Sequence, residues 1–313
     1  MKKKYYTGIH NPSAAIALDN DHFIVADDED NSLRIYAHTL ATHPLQTIAL
    51  KDVFTGDIFE GEDLEIDLEG GTEIEGTFFW IGSHSTSRKG RNRPTRQRLL
   101  ALTLKIDDQG KFIAHPIGQV VTHLIDALEQ DARFDAYQFK QARTLPSKGL
   151  GGLNIEGLSA TPDKGLLIGF RNPLQGGKVK RDKLVNGKAL LVKLLNPFEV
   201  INGHPPLFAD PIELDLKGMS IRDISWRKKQ KYLIVAGSYH DNLASKKHPR
   251  EKTQLYSWST QSGKLKHLKK IDLQDLNIEA AIFYPRRDSH VQLLSDDGQL
   301  GCSQSFRSVT LKL

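Results

Sequence analysis

The chain has 313 residues and a formal net charge of +5; its 26% charged and 39% hydrophobic residues are typical of a folded globular protein and exclude global disorder. It contains one cysteine, Cys302, so no disulfide can form within the chain, and no run of apolar residues approaches the ~18 that a transmembrane helix needs. The basic N-terminus lacks the apolar core of a secretion signal, because Asp19 ends the first apolar run. We therefore expect a cytoplasmic protein that does not bind membranes.

A pattern of two short apolar strands recurs five times along the chain. Each copy begins with a polar triplet, continues as an apolar strand of small residues, turns, and enters a second apolar strand. The first four copies are followed by two further strand-like runs. A unit of four antiparallel strands is typical of a propeller blade, so the sequence predicts an all-β fold, a single five-bladed β-propeller over residues 1–313. The copies begin near Asn11, Ile66, Asn154, Ser220 and Asn277.

Two segments do not follow the repeat. The interval between the second and third copies is wide enough for a sixth blade, but Leu124, Leu128 and Phe134 recur at roughly helical spacing. This favours a helical insertion near residues 122–140. After the fifth copy only R-S-V-T-L-K-L remains as a clear strand, and the N-terminal K-K-Y-Y-T-G-I is predicted to supply the missing outer strand of the last blade.

Polar triplets from different blades are predicted to meet at one mouth of the central channel, because the first strand of a blade lines that channel. Glu69, Glu156 and Glu279 hold equivalent places, and Asp223 lies one position along in the fourth copy. Carboxylates so close would raise one another's pKa. Three arrangements remain open: a Ca²⁺ or Mg²⁺ ion bound by these four acids, an arginine-centred network built on Arg222, and hydrogen bonds that serve only the architecture.

The loops after the second strands reach the same mouth and differ in charge. Those of the first and fifth blades are acidic, whereas the other three are long and basic. We expect Arg88, Arg171, Asn172 and Arg222 to bind a small anionic ligand, since arginine forks match phosphate and carboxylate. Nucleic-acid binding is not expected, because no aromatic residues interleave with the basic ones to stack on bases. The fourth loop carries Lys246, Lys247 and Arg250.

Two histidines follow second strands of blades. His84 in G-S-H-S and His240 in G-S-Y-H-D are candidates for general bases, and a purely structural role is the alternative. The usual hydrolase elbow, P-loop and zinc signatures are absent from the sequence.

The segments D-L-E-G, W-I-G-S-H-S, N-I-E-G-L and L-L-I-G-F-R-N-P together resemble a bacterial family known as domain of unknown function 3616, over most of the chain. More distantly, the chain is similar to the SdiA-regulated proteins and to the "esterase-like activity of phytase" domains. The first of these similarities implies a calcium ion within the ring, and the second implies phosphoester or ester hydrolysis. Only Glu69, Glu156 and Glu279 match the shared signatures; the fourth blade has Arg222-Asp223 and the first has Pro-Ser.

These features lead to two hypotheses. The first is a propeller that binds a small anionic ligand, such as a phosphorylated compound, at the carboxylate-lined mouth, with a divalent cation, and hydrolyses it as a metal-assisted phosphoesterase or esterase. The second is a non-catalytic scaffold whose loops hold a protein partner.

Overall fold

The strands that the structure describes form five four-stranded antiparallel sheets and one two-stranded hairpin. This arrangement comes from a computed structural model, which describes residues 2–9, 11–27, 30–39, 41–54, 65–180, 183–240, 252–287, 289–297 and 305–313. The basic residues Lys246, Lys247 and Arg250 and the cysteine Cys302 lie outside the described residues.

Each sheet is one blade, and its strands run outward in chain order in the first four blades. The chain begins with β1 (Lys3–Thr7), which belongs to the last blade. The first blade holds β2 (Pro12–Ala17), β3 (His22–Asp27), β4 (Ser32–Ala37) and β5 (Gln46–Ala49). The second holds β6 (Leu68–Ile74), β7 (Thr77–Gly82), β8 (Leu99–Ile106) and β9 (Phe112–Pro116).

The third blade carries an extra hairpin, β12 (Lys178–Lys180) with β13 (Lys183–Val185), between its second and third strands. Its own strands are β10 (Asn154–Ala160), β11 (Leu166–Asn172), β14 (Ala189–Leu194) and β15 (Ile212–Leu214). The fourth blade holds β16 (Ser220–Lys228), β17 (Lys231–Gly237), β18 (Gln254–Ser259) and β19 (Leu265–His267). The fifth holds β20 (Ile278–Phe283), β21 (His290–Ser295) and β22 (Ser305–Lys312), and β1 pairs with β22 as its outer strand.

The five blades close into a ring. Each innermost strand, namely β2, β6, β10, β16 and β20, contacts the innermost strands of both neighbouring blades, including β20 with β2. The fold is therefore the five-bladed β-propeller that the sequence predicts.

Five apolar clusters fill the spaces between neighbouring blades. The middle strands β7 and β11 are buried along their whole length, since a neighbouring blade covers each of their faces. This explains why these strands read as continuous apolar runs rather than as alternating ones.

The predicted helical insertion lies between the second and third blades. It consists of α1 (Leu124–Gln130), a 3₁₀ helix (Ala132–Tyr137) and α2 (Phe139–Ala142). Leu124, Leu128 and Phe134 are buried in one cluster with Phe79 of the second blade and Phe170 of the third. The insertion widens this inter-blade core and replaces the sixth blade that the interval could have held.

The remaining helices of the described ranges are short. They are α3 (Pro197–Val200) and the 3₁₀ helices Leu50–Asp52 and Pro94–Arg96. None of the helices within the described ranges has the length and hydropathy that crossing a membrane requires.

Candidate functional site

A β-bulge interrupts the innermost strand of every blade at the same point. The pairing of the first strand with the second skips one residue near the start of each inner strand. A bulge takes a residue out of the ladder and re-aims its side chain, so these five residues are structurally equivalent. We call them the bulge ring: Ser13, Glu69, Glu156, Arg222 and Glu279.

Glycines directly after two of the glutamates allow the inner strands to approach closely. A Cβ on Gly70 would lie 2.8 Å from the Cβ of Leu158, and one on Gly157 would lie 3.0 Å from Cγ2 of Ile224. The first distance is shorter than any ordinary carbon–carbon contact, so only glycine fits position 70 without displacing its neighbours.

Arg222 lies between the glutamates of the two adjacent blades. Its Nε donates to Oε2 of Glu279 at 2.9 Å, and its Nη2 donates to Oε1 of the same carboxylate. Its Nη1 donates to Oε1 of Glu156 at 3.2 Å and lies 2.9 Å from Oε2. All three side chains are largely buried, so the contact is a buried ion-pair network rather than a solvated surface pair.

A second arginine and two asparagines complete the network. Arg171 Nη1 donates to Oε1 of Glu156 at 2.8 Å, while its Nε and Nη2 donate to the carbonyl oxygens of Tyr239 and His240, both at 3.1 Å. The side-chain amides of Asn154 and Asn277 donate to Glu156 and Glu279 at 2.8 and 2.7 Å. The other amide atom, Oδ1 of Asn154, is buried and accepts no hydrogen bond from any described residue.

The titration of these groups reflects burial and mutual charge. Burial would lower the pKa of Arg222, but Glu156 and Glu279, and more weakly Glu69, raise it above its ordinary value. Burial raises the pKa of Glu279, and Arg222 opposes that shift. We take the pair as ionised, because both oxygens of Glu279 accept hydrogen bonds from one guanidinium, as a carboxylate does.

The predicted metal ligands do not fit a bound cation in this arrangement. The guanidinium of Arg222 lies between Glu156 and Glu279, where Ca²⁺ or Mg²⁺ was predicted. Across the described ranges, no three or more histidine, cysteine, aspartate or glutamate side chains form a group that could hold a metal. Of the three arrangements that the sequence leaves open, the geometry matches the arginine-centred network.

Asp223, the fourth predicted ligand, makes its hydrogen bonds away from the three glutamates. Its Oδ2 accepts from the backbone N–H of Ala281 at 2.8 Å and lies 2.9 Å from the hydroxyl of Ser225. It lines a cavity of about 310 Å³ at the opposite end of the inner strands, where Thr72 and Ser159 also lie. Asp223 thus ties the inner strand of the fourth blade to that of the fifth.

Burial raises the pKa of Asp223 to about 7, although hydrogen bonds from Ser225 and Ala281 lower it. The geometry agrees with a protonated carboxyl. Ser225 Oγ lies 2.6 Å from the carbonyl oxygen of Ala281 and 2.9 Å from Asp223, yet it has only one proton to donate. A proton on Asp223 satisfies both contacts.

Asp223→Asn is expected to remove a pH dependence of stability. The carboxyl keeps its proton up to pH about 7 in the folded state, whereas its ordinary pKa is 3.8. Between these two pH values the folded state binds more protons than the unfolded state, so stability falls as pH rises from 3.8 to about 7. Relative to the wild type, the variant should gain about 2–3 kcal/mol in free energy of unfolding between pH ~5 and ~8. Chemical denaturation at both pH values measures this difference. A difference that does not change with pH would contradict a protonated Asp223.

The two predicted histidines have different surroundings. His84 is buried, its Nδ1 lies 2.9 Å from the carbonyl oxygen of Gly82, and its Nε2 has no hydrogen-bond partner among described residues. Burial lowers its pKa to about 4, so it is neutral near pH 7. His240 is half-buried and its carbonyl oxygen accepts from Arg171, which places it beside the Glu156 network. A general-base role for either histidine stays a prediction.

The predicted ligand-binding residues also divide. Arg171 and Arg222 contact the bulge-ring carboxylates. Asn172 is buried and its side-chain amide donates to the carbonyl oxygens of Gly149 and Ser147 at 2.6 and 3.2 Å, so it orders the segment before β10. Arg88 is exposed on the loop after β7, and no contact with the glutamates is found for it within the described residues.

A family model described as "Protein of unknown function (DUF3616)" matches residues 12–114 and 103–245. The two matches together span more than half of the chain. The chain belongs to the DUF3616 family. No curated protein matches the sequence.

Solved structures that are similar to this DUF3616 protein have low sequence identity to it. The glutaminyl cyclase of Myxococcus xanthus is 8% identical, covers 99% of this chain and 95% of its own, and has a TM-score of 0.46. A glucose dehydrogenase-type oxidoreductase of Thermus thermophilus is 11% identical over 99% and 100% of the two chains, with a TM-score of 0.43. A GH43 protein of Bacillus licheniformis is 11% identical over 94% and 50%, with a TM-score of 0.46. At TM-scores under 0.5 these similarities carry no argument about this chain.

One polar cluster of the DUF3616 chain was not predicted from the sequence. Asp67 accepts from the hydroxyl of Ser83 and lies 2.8 Å from Arg96 Nη1, which also donates to Ser85 at 2.9 Å. This cluster anchors the basic loop after β7 to the start of β6. The sequence features that could have indicated this cluster are the two serines that flank His84 and the aspartate of D-L-E-G, which precedes Glu69 by two residues.

Proposed function

We propose that the mouth formed by the bulge ring binds a small hydroxylated anion, such as a phosphorylated polyol. The observation that supports this most directly is the equivalence of the five bulges, which places three carboxylates and one arginine at the same point of the inner strands. Repeating one backbone irregularity in every blade concentrates functional groups at one level of the channel.

The chemistry of the mouth favours a ligand that offers hydrogen-bond donors. The arginines at the centre, Arg171 and Arg222, already donate to carboxylates and carbonyl oxygens. The hydrogen-bonding capacity that remains is that of acceptors: a carboxylate has several lone pairs, and Oδ1 of Asn154 is buried and accepts no hydrogen bond from any described residue. Ligand hydroxyl groups would satisfy these acceptors.

The rim supplies positive charge for an anionic group. β7 ends at Gly82, which pairs with Leu68 beside the bulge, so the loop after β7 leaves the blade at the same face as Glu69. Arg88, Lys89 and Arg91 on this loop are exposed. A ligand with hydroxyl groups toward the centre and a phosphate toward this loop would use both features.

The test is a binding survey of matched phosphorylated and unphosphorylated sugars and cyclitols, by thermal shift and then calorimetry. A hydrogen bond to a charged group contributes about 1.5–3 kcal/mol, so Glu69→Gln should weaken binding at least about tenfold. Glu75→Gln, on the exposed turn after β6, is the control and should leave affinity unchanged. Equal affinity of phosphorylated and unphosphorylated compounds, or no effect of Glu69→Gln, would rule the proposal out. Phosphate release in the same samples checks the predicted hydrolysis.

A further inference from the structure

A groove of about 660 Å³ lies on the outer side of the fourth and fifth blades, away from the bulge ring. Its apolar lining is the outward continuation of the core between these two blades, since Leu268, Ile271 and Leu313 pack against that core while remaining partly exposed. The groove therefore offers apolar surface that the ring itself leaves uncovered.

The rim of the groove is strongly basic. Five exposed lysines line it, no aspartate or glutamate belongs to its lining, and within the described residues none of the five forms an ion pair. Some lysines elsewhere on the surface do form ion pairs, for example Lys188 with Glu213 and Lys193 with Asp163. The five unpaired lysines are Lys231, Lys266, Lys269, Lys270 and Lys312.

The concentration of like charge indicates an acidic partner. Lysines gathered without counter-ions repel one another and produce a positive field that attracts anionic groups. Because the floor is apolar, the partner should also present an aliphatic side chain. Nucleic acid is less suited, because neither ring that lines the groove is available for stacking on bases: Tyr232 is buried, and the imidazole of His267 is stacked on Tyr256. We propose that this groove binds an acidic peptide segment of a partner protein, with leucine-like side chains on the floor and carboxylates against the lysines.

The experiment uses the full chain and a fluorescein-labelled 12-residue peptide of aspartate and glutamate with two central leucines. Fluorescence anisotropy at low and high salt gives the dissociation constant. The combined variant Lys266→Glu, Lys269→Glu and Lys270→Glu should weaken binding at least about tenfold, and salt should weaken wild-type binding, since exposed charge pairs are screened. The matched control is Lys51→Glu, Lys105→Glu and Lys111→Glu, which makes the same charge change at exposed sites of the first two blades. It should change affinity less than about threefold, because these lysines belong to the first two blades and none of them lines the groove.

Three results would overturn the proposal. The first is an equal loss of peptide affinity in both triple variants, which would show that binding depends only on the net charge of the protein. The second is unchanged affinity when the two leucines of the peptide are replaced by serine, since the apolar floor would then be unused. The third is tighter binding of a single-stranded oligonucleotide or of anionic phospholipid vesicles that the groove variant abolishes, which would assign the surface to a different class of partner. Melting temperatures of all variants confirm that they fold, and a milder triple Lys→Gln variant replaces the Glu variant if it does not.

Discussion

Replacing Arg222 by methionine is expected to lower the free energy of unfolding by about 3–5 kcal/mol, because the substitution leaves buried carboxylates without their counter-charge. Glu279 loses its guanidinium partner and keeps the amide of Asn277, whereas Glu156 keeps Arg171. Methionine has nearly the length of the arginine side chain, so the effect should reflect charge rather than lost volume. Guanidinium denaturation near pH 7.5 measures the change.

Arg143→Met is the matched control for this prediction. Arg143 also bridges two carboxylates, those of Asp126 and Glu129, but it lies on the surface of the helical insertion, where all three side chains are more exposed. Surface ion pairs contribute about 0–1 kcal/mol, so the control should cost much less. Equal losses of unfolding free energy in the two variants would show that the buried ion pairs of Arg222 stabilise the fold no more than a surface pair does.

The pH dependence of the Arg222 variant gives a second check on the same mechanism. Without the arginine, burial raises the pKa of Glu279 further above its ordinary value of 4.5. A carboxyl whose pKa is raised in the folded state binds its proton more tightly there, so stability falls as pH increases above about 4.5. The deficit relative to wild type should therefore be larger at pH ~8 than at pH ~5. Adding Glu279→Gln to Arg222→Met should restore most of the loss, because the buried charge is then gone.

The propeller and the meeting of the glutamates could be predicted because they depend on backbone periodicity. The polar triplets recur with the apolar strands, and a strand that starts at one face of the ring keeps its first side chains at that face. Which of three arrangements the carboxylates adopt could not be predicted, because it depends on where the guanidinium of Arg222 lies between Glu156 and Glu279. Sequence spacing does not contain that information.

Arg222 and Asp223 are adjacent in the sequence, yet their side chains make contacts at different ends of the inner strand. Arg222 leaves the ladder at the bulge, whereas Asp223 is paired with Val235 and hydrogen-bonds toward the other end of the channel. A shift of one residue in a strand changes the face on which a side chain lies, so the sequence could not decide whether Asp223 joins the glutamates. The basic groove was missed for a different reason. Lys231, Lys266 and Lys312 come from three separate segments that only the packing of two blades brings together.

Tyr6→Ala is expected to lower the free energy of unfolding by about 3–5 kcal/mol, the range for removing a buried aromatic side chain. Tyr6 lies on β1 and is fully buried between the last blade and the first. Its ring is stacked on Phe306 at a centroid distance of 5.2 Å and meets Phe23 and Tyr36 edge-on at 5.3 and 5.5 Å. Its hydroxyl donates to the carbonyl oxygen of His38 at 3.0 Å, so Tyr6→Phe should cost only about 1 kcal/mol.

The adjacent residue provides the control within the same strand. Tyr5 is 56% exposed, and Tyr5→Ala should change stability by less than about 0.5 kcal/mol. Both positions pair with β22, so the backbone contribution of the strand is the same in the two variants. If Tyr6→Ala proved as mild as Tyr5→Ala, β1 would not belong to the cooperative unit, and the ring would be held closed by the inner strands β20 and β2 alone. The expected large difference means instead that one aromatic side chain on the N-terminal strand joins the last blade to the first.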